Sequence, residues 1–151
     1  MYLRAVVQRV TSSSVSVESE VVGTIGRGFL VLIGVTSDDT DRDVEYIADK
    51  IANMRVFDDE NGKLNLSIMD VGGEVLAVSQ FTLYGDCRSG RRPSFTQAAP
   101  ADYGMELYRK VVDALRKRNI EVKQGIFGAD MKVSLVNDGP VTMLLESRKA
   151  F

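Results

Sequence analysis

Hydroxyls, carboxylates, lysine and a single thiol are the side chains left to do chemistry in this sequence, because none of its 151 residues is histidine. That absence excludes a Ser-His or Cys-His nucleophile pair, an imidazole general base and a His-ligated zinc. Proton transfer falls to carboxylates, lysine, water or the substrate. Three stretches gather polar groups closely. Ser79-Gln80-Phe81-Thr82-Leu83 follows an apolar run, and Asn137-Asp138-Gly139-Pro140-Val141-Thr142 separates two β-prone runs. Arg88, Arg91 and Arg92 share a third stretch with Ser89, Ser94 and Phe95. Taken singly, the first is a strand end and the second a hairpin turn. The third combines phosphate donors with a ring on which a base can stack, or is a solvated loop.

Other groupings carry less chemistry. Gly23, Gly26 and Gly28 have the wrong spacing for a dinucleotide loop and precede a strand, so they read as a hairpin turn. The acids Asp58, Asp59 and Glu60 are contiguous and lack the later ligands of a calcium loop or a two-metal cage. Ser12, Ser13 and Ser14 have no base beside them, and Arg116-Lys117-Arg118 fits dipole compensation at a helix end.

The elements that would position these groups follow from periodicity. Residues 3–10 are rich in β-branched and apolar side chains and 14–17 alternate, predicting two opening strands. Residues 21–25 and 29–35 predict two more around a glycine turn. From Asp41 the period changes: Val44, Ile47, Ala48 and Ile51 mark a helix with Thr40 or Ser37 as N-cap. A short strand is expected at 55–57 and a central one over 74–83; 85–100 is the longest loop. A second helix follows Pro100, with Leu107, Val111 and Leu115 on one stripe. Strands over 131–136 and 141–145 flank the Gly139-Pro140 turn.

Composition sets the outer limits. With 44% hydrophobic and 26% charged residues, the chain reads as one globular domain over 1–151. No stretch approaches a membrane span, and Arg4, Gln8 and Arg9 interrupt the first apolar run, so a soluble, cytoplasmic protein is expected. The lone Cys87 fits a reducing compartment. A net charge of −2 argues against a broad basic field, so any nucleic-acid contact should be local, with no DNA binding expected.

Together the Ser79–Thr82 and Asn137–Thr142 segments resemble the SQFT and NxGPVT signatures of the D-aminoacyl-tRNA deacylase family. Gln8-Arg9-Val10, Arg92-Pro93-Ser94-Phe95 and Phe127-Gly128-Ala129-Asp130-Met131 extend that resemblance over essentially the whole chain. The resemblance implies an α/β fold, a compact three-layer β/β/α arrangement with mixed sheets and two main helices. It implies a hydrolase that frees D-amino acids, and glycine as an achiral second substrate, from the 3′ end of mischarged tRNA.

By the same resemblance the enzyme is a homodimer, with Gly139-Pro140 joined by a cis peptide bond and acting in the partner's pocket to reject L side chains. Ser79, Gln80, Phe81 and Thr82 would form the wall holding the ester, with backbone amides near Phe81 and Thr82 as oxyanion donors. Thr82 would be a nucleophile or a positioning group. Phe127 and Met131 would receive the terminal adenine, Phe95 would contact substrate, and Arg9 would brace the Gly-Pro loop. In plain structural terms Phe127 and Met131 are core residues and Arg9 a surface ion pair. No metal and no cofactor are implied, since the tRNA 2′-hydroxyl helps orient the attacking water. The competing readings are a non-catalytic nucleic-acid-binding protein of the same fold and a metal-dependent phosphatase or nuclease.

Overall fold

The computed structural model describes residues 2–151. In chain order the elements are β1 (Arg4–Val17), β2 (Glu20–Ile25), β3 (Gly28–Gly34), α1 (Asp41–Asn53), β4 (Phe57–Asp58), β5 (Leu64–Leu66) and α2 (Ile68–Val71). They continue with β6 (Glu74–Ser79), a 3-10 turn (Phe81–Tyr84), α3 (Ala101–Lys117), β7 (Glu121–Gln124) and β8 (Lys132–Glu146). The main helices fall where the 3.6-residue period puts them. Thr40 caps α1, its backbone N–H donating to the Asp43 carboxylate at 2.8 Å.

One mixed sheet runs β2-β1-β3-β6-β7, with β8 paired along the other edge of β1. β1 meets β3 through residues 4–10 and β2 through 13–17, so its two halves serve different parts of the sheet. The parallel pairs β3–β6 and β6–β7 form the centre. Side-chain alternation on β3 and β6 then makes two cores. Phe29, Val31, Ile33, Val75 and Ala77 point toward Ile47, Ile51, Leu107, Val111 and Leu115 of the helices. Leu30, Leu76 and Val78 point the other way, toward Val10, Val15 and Ile25. This is the expected β/β/α layering, and burial on both faces explains why β3 and β6 read as continuous apolar runs. Gly23 lets β2 fold over the sheet: a Cβ there would lie 2.8 Å from the Gln124 carbonyl oxygen.

The structure corrects three boundaries. The two expected opening strands are one, because the polar stretch around Ser12 stays in the sheet; Ser13 Oγ donates to the Ser134 carbonyl at 2.7 Å. The central strand stops at Ser79, where pairing with Ile33 ends and the chain tightens into the 3-10 turn. The expected hairpin at Asn137–Pro140 does not exist. β8 continues through it against β1, and between the pairs Val10↔Asn137 and Gln8↔Thr142 residues 138–141 bulge opposite Arg9 alone.

Candidate active site

A cavity of about 250 Å³ opens at the carboxyl ends of β3 and β6, where parallel sheets place their ligands. Val78, Ser79, Gln80 and Phe81 form one wall as β6 passes into the 3-10 turn. Residues 127–131, on the segment after β7, form the opposite wall, and Gly104 and Tyr108 of α3 line it as well. Ser79, Gln80, Phe81, Phe127 and Met131, five of the residues singled out in the sequence, therefore meet around one space.

Close packing fixes the walls. The Ala77 carbonyl, two residues before Ser79, accepts from the Tyr108 hydroxyl at 3.0 Å and from the Gly125 amide at 3.1 Å. That oxygen ties β6, α3 and the Phe127 segment together. Phe127 lies against Tyr108 with ring centroids 6.0 Å apart, and a Cβ on Gly104 would sit 3.4 Å from its ring. Gly125 leaves room for Met131, whose sulfur would lie 2.5 Å from an added Cβ. Burial pushes the Tyr108 hydroxyl well above the usual tyrosine range, so it serves as a neutral hydrogen-bond donor and not as a base. The other ionisable lining residue, Asp130, is paired with Lys132 at 3.1 Å.

Thr82 does not line the cavity; its hydroxyl accepts from the Gln80 side-chain amide. Phe95 also lies outside, edge-on to Phe81 with centroids 5.3 Å apart. Gly139 and Pro140 stand elsewhere again, in the β8 bulge, with a cis peptide bond and a Gly139 φ of 144°. Arg9 holds that bulge. It is 7% exposed, donating from Nε to the Asp138 carbonyl at 2.8 Å and from Nη1 to the Val56 carbonyl at 2.7 Å. Asp58 and Asp138 lie 3.6 and 3.7 Å from its guanidinium. Arg9 is therefore a buried side chain hydrogen-bonded to the bulge, and the alternative of a surface ion pair does not describe it. Asn137 secures the other side, its Oδ1 accepting from the Val141 amide at 2.7 Å and its Nδ2 donating to Thr142 Oγ1 at 3.0 Å.

The sequence reading missed Tyr108, Gly104 and Gly125. Gly104 carried the usable signal, since a glycine inside an amphipathic helix costs stability unless something packs against it. Among the described residues no cluster of three or more His, Cys, Asp or Glu could hold a metal ion. Asp59 instead accepts the Asn61 and Lys63 amides at 2.9 and 3.0 Å, making an ordinary turn. Among the described residues no helix is long and apolar enough to cross a membrane.

Comparison with known proteins adds to this geometry. Residues 6–146 match the family model described as D-Tyr-tRNA(Tyr) deacylase. The D-aminoacyl-tRNA deacylase of Thermosipho africanus (strain TCF52B) is 58% identical over 149 residues, 99% of this chain and 100% of that protein. The same-named protein of Clostridium beijerinckii (strain ATCC 51743 / NCIMB 8052) is 57% identical with the same coverage. A solved structure named c-Myc DNA Unwinding Element Binding Protein superposes with a TM-score of 0.89 at 45% identity, covering 95% of this chain and 97% of that one. A probable eukaryotic D-amino acid tRNA deacylase shares the fold, with a TM-score of 0.83 at 21% identity over 97% of this chain and 100% of that one.

Proposed function

The chain belongs to the D-Tyr-tRNA(Tyr) deacylase family, and from that premise we propose that its cavity hydrolyses the ester joining a D-amino acid to the 3′ end of tRNA. The observation that carries the reading is the meeting of the Ser79–Phe81 wall with Phe127 and Met131 around one small space. The ester lies along Ser79 and Gln80, the terminal adenine rests on Phe127 and Met131, and the first amides of the 3-10 turn face the developing oxyanion. Amides at the start of a helical turn have no partner within it, which suits them to that task.

Tyr108 is a neutral donor and Asp130 is paired with Lys132, which fits the family resemblance in leaving the substrate's 2′-hydroxyl to help orient the attacking water. An aminoacyl ester is already activated, and orientation with oxyanion donors lowers the barrier further. Thr82 positions Gln80 and does not attack. The enzyme works in the cytoplasm, where charged tRNA is used.

Chiral rejection needs a second copy. Gly139 and Pro140 lie outside their own cavity, on a 15-residue strand whose Val136 and Leu144 are 56% and 54% exposed. An apolar edge of that length requires a cover. Two subunits pair there, and the partner's Gly139 with the partner's Pro140 closes the cavity against L side chains. Glycine, lacking a side chain, passes the same filter.

The test is release of labelled tyrosine from D-tyrosyl-tRNA by purified protein, with and without a chelator. Rapid, chelator-resistant release is expected; a chelator-sensitive rate would contradict the mechanism. A second reading, nucleic-acid binding without hydrolysis, draws on the name of the 45%-identical structure. A protein that binds tRNA and leaves the D-ester intact would establish that reading instead.

A further inference from the structure

A charged hairpin that the hydrolytic reading leaves unused runs directly into Phe95, whose ring packs on the cavity-lining Phe81. Asp86 and Ser94 exchange backbone hydrogen bonds of 2.7 and 2.9 Å, closing residues 86–94 with Gly90 at φ 71° in the loop. Arg88 folds back onto Asp86, its Nε and Nη2 lying 2.9 and 2.7 Å from the carboxylate. Those two charges cancel. Arg91 and Arg92 are exposed and make no ion pair or hydrogen bond with any described residue. The hairpin thus presents two uncompensated guanidinium groups on a chain whose net charge is −2.

The next residue after the hairpin is Phe95, 36% exposed, seated against Gly85, where an added Cβ would lie 3.1 Å from its ring. It meets the rim residue Phe81, 58% exposed, edge to face at 73°. Two partly exposed rings, one of them on the cavity lining, and two free arginines on the hairpin that adjoins the other match a polyanion with stackable faces. Base stacking on aromatic rings and phosphate pairing to arginine are the two elements of single-strand recognition.

Resting on the reading given under Proposed function, we propose that Phe81, Phe95, Arg91 and Arg92 form a track for the unpaired nucleotides that precede the terminal aminoacyl-adenosine. The bases cross the ring pair and the phosphates meet the two arginines. The cavity then reads the ester, and the track supplies affinity for the RNA chain.

Kinetics of an Arg91→Ala/Arg92→Ala double variant on two substrates test this. One is D-tyrosyl-tRNA; the other is the D-tyrosyl ester of adenosine, which has no phosphate. On the tRNA the variant should raise KM roughly tenfold at fixed kcat, and its log(kcat/KM) against log[salt] should be shallower by about 1.4. On the adenosine ester both enzymes should agree within about twofold, and Arg91→Lys/Arg92→Lys should recover most of the tRNA affinity. Equal losses on both substrates, or none on tRNA, overturn the track. So does a fall in sedimenting mass, which would make this face a subunit interface. If the unmodified protein cuts neither ester, the deacylase reading itself fails and the track with it.

Discussion

Gly139 shows how much a single position can carry. Its φ of 144° lies outside the range side chains favour, and an added Cβ would meet Val141 Cγ2 at 2.7 Å and the Val141 amide at 2.9 Å. Gly139→Ala should therefore displace the bulge, costing about 1–3 kcal/mol of stability and relaxing discrimination between D- and L-tyrosyl-tRNA. Urea unfolding and paired hydrolysis rates check the two parts; unchanged discrimination in a folded variant would remove Gly139 from the filter. Asp39 makes a different prediction. Burial pushes its carboxyl from 3.8 up to about 6, and among the described residues its Oδ1 has no hydrogen-bond partner. The folded state therefore binds this proton more tightly than the unfolded chain. The resulting penalty is complete above about pH 6 and is relieved as pH falls toward 4. Asp39→Asn should stabilise the protein by roughly 1–3 kcal/mol at pH 7.5, with the gain vanishing near pH 4. A denaturation series that shows no gain at pH 7.5 would contradict the assignment.

At the level of elements, the Ala77 carbonyl joins the strand that carries the Ser79–Phe81 wall to the helix behind it. Tyr108→Phe keeps the ring against Phe127 and removes one of the two hydrogen bonds to that oxygen. Thermal unfolding should report a loss of about 1–2 kcal/mol, and kcat on D-tyrosyl-tRNA should fall further than KM rises. A stability loss with unchanged kinetics would make the bond purely structural. The helices were legible because burying one face writes a 3.6-residue period: Val44, Ile47, Ala48 and Ile51 are all buried, as are Leu107, Val111 and Leu115. The long strands were not. β1 changes partner midway and carries polar residues through the change, while β8 absorbs a Gly-Pro bulge that looks like a turn in one dimension. Arg9 came forward by resemblance alone; its burial and its hydrogen bond to Asp138 follow from its opposition to residues 138–141, which no spacing shows.

Across the whole molecule, the cavity walls come from segments some 50 residues apart and converge because parallel strands end together. Motif resemblance brought Ser79, Gln80, Phe81, Phe127 and Met131 forward; periodicity alone places none of them in a shared space. Tyr108 stayed hidden because its contribution is a contact between elements and leaves no spacing to read, whereas Gly104 shows in the sequence only as a glycine within a helical pattern. The exposed apolar edge of β8 predicts a dimer, which sedimentation equilibrium at micromolar concentration should detect. Leu144→Lys, replacing a 54% exposed apolar side chain, should weaken that association at least tenfold while the subunit fold persists. A monomeric unmodified protein would leave Gly139 and Pro140 with no cavity to close.

The central claim is that this cavity cuts the D-ester and refuses the L-ester without a protein base. Matched D-tyrosyl-tRNA and L-tyrosyl-tRNA, offered to the same purified protein, test it most directly. The account predicts D-tyrosine release at least about 100-fold faster than L-tyrosine release, a ratio that exclusion by rigid backbone can sustain. Comparable rates on the two esters would contradict the Gly139-Pro140 filter, and two intact esters would contradict the enzyme.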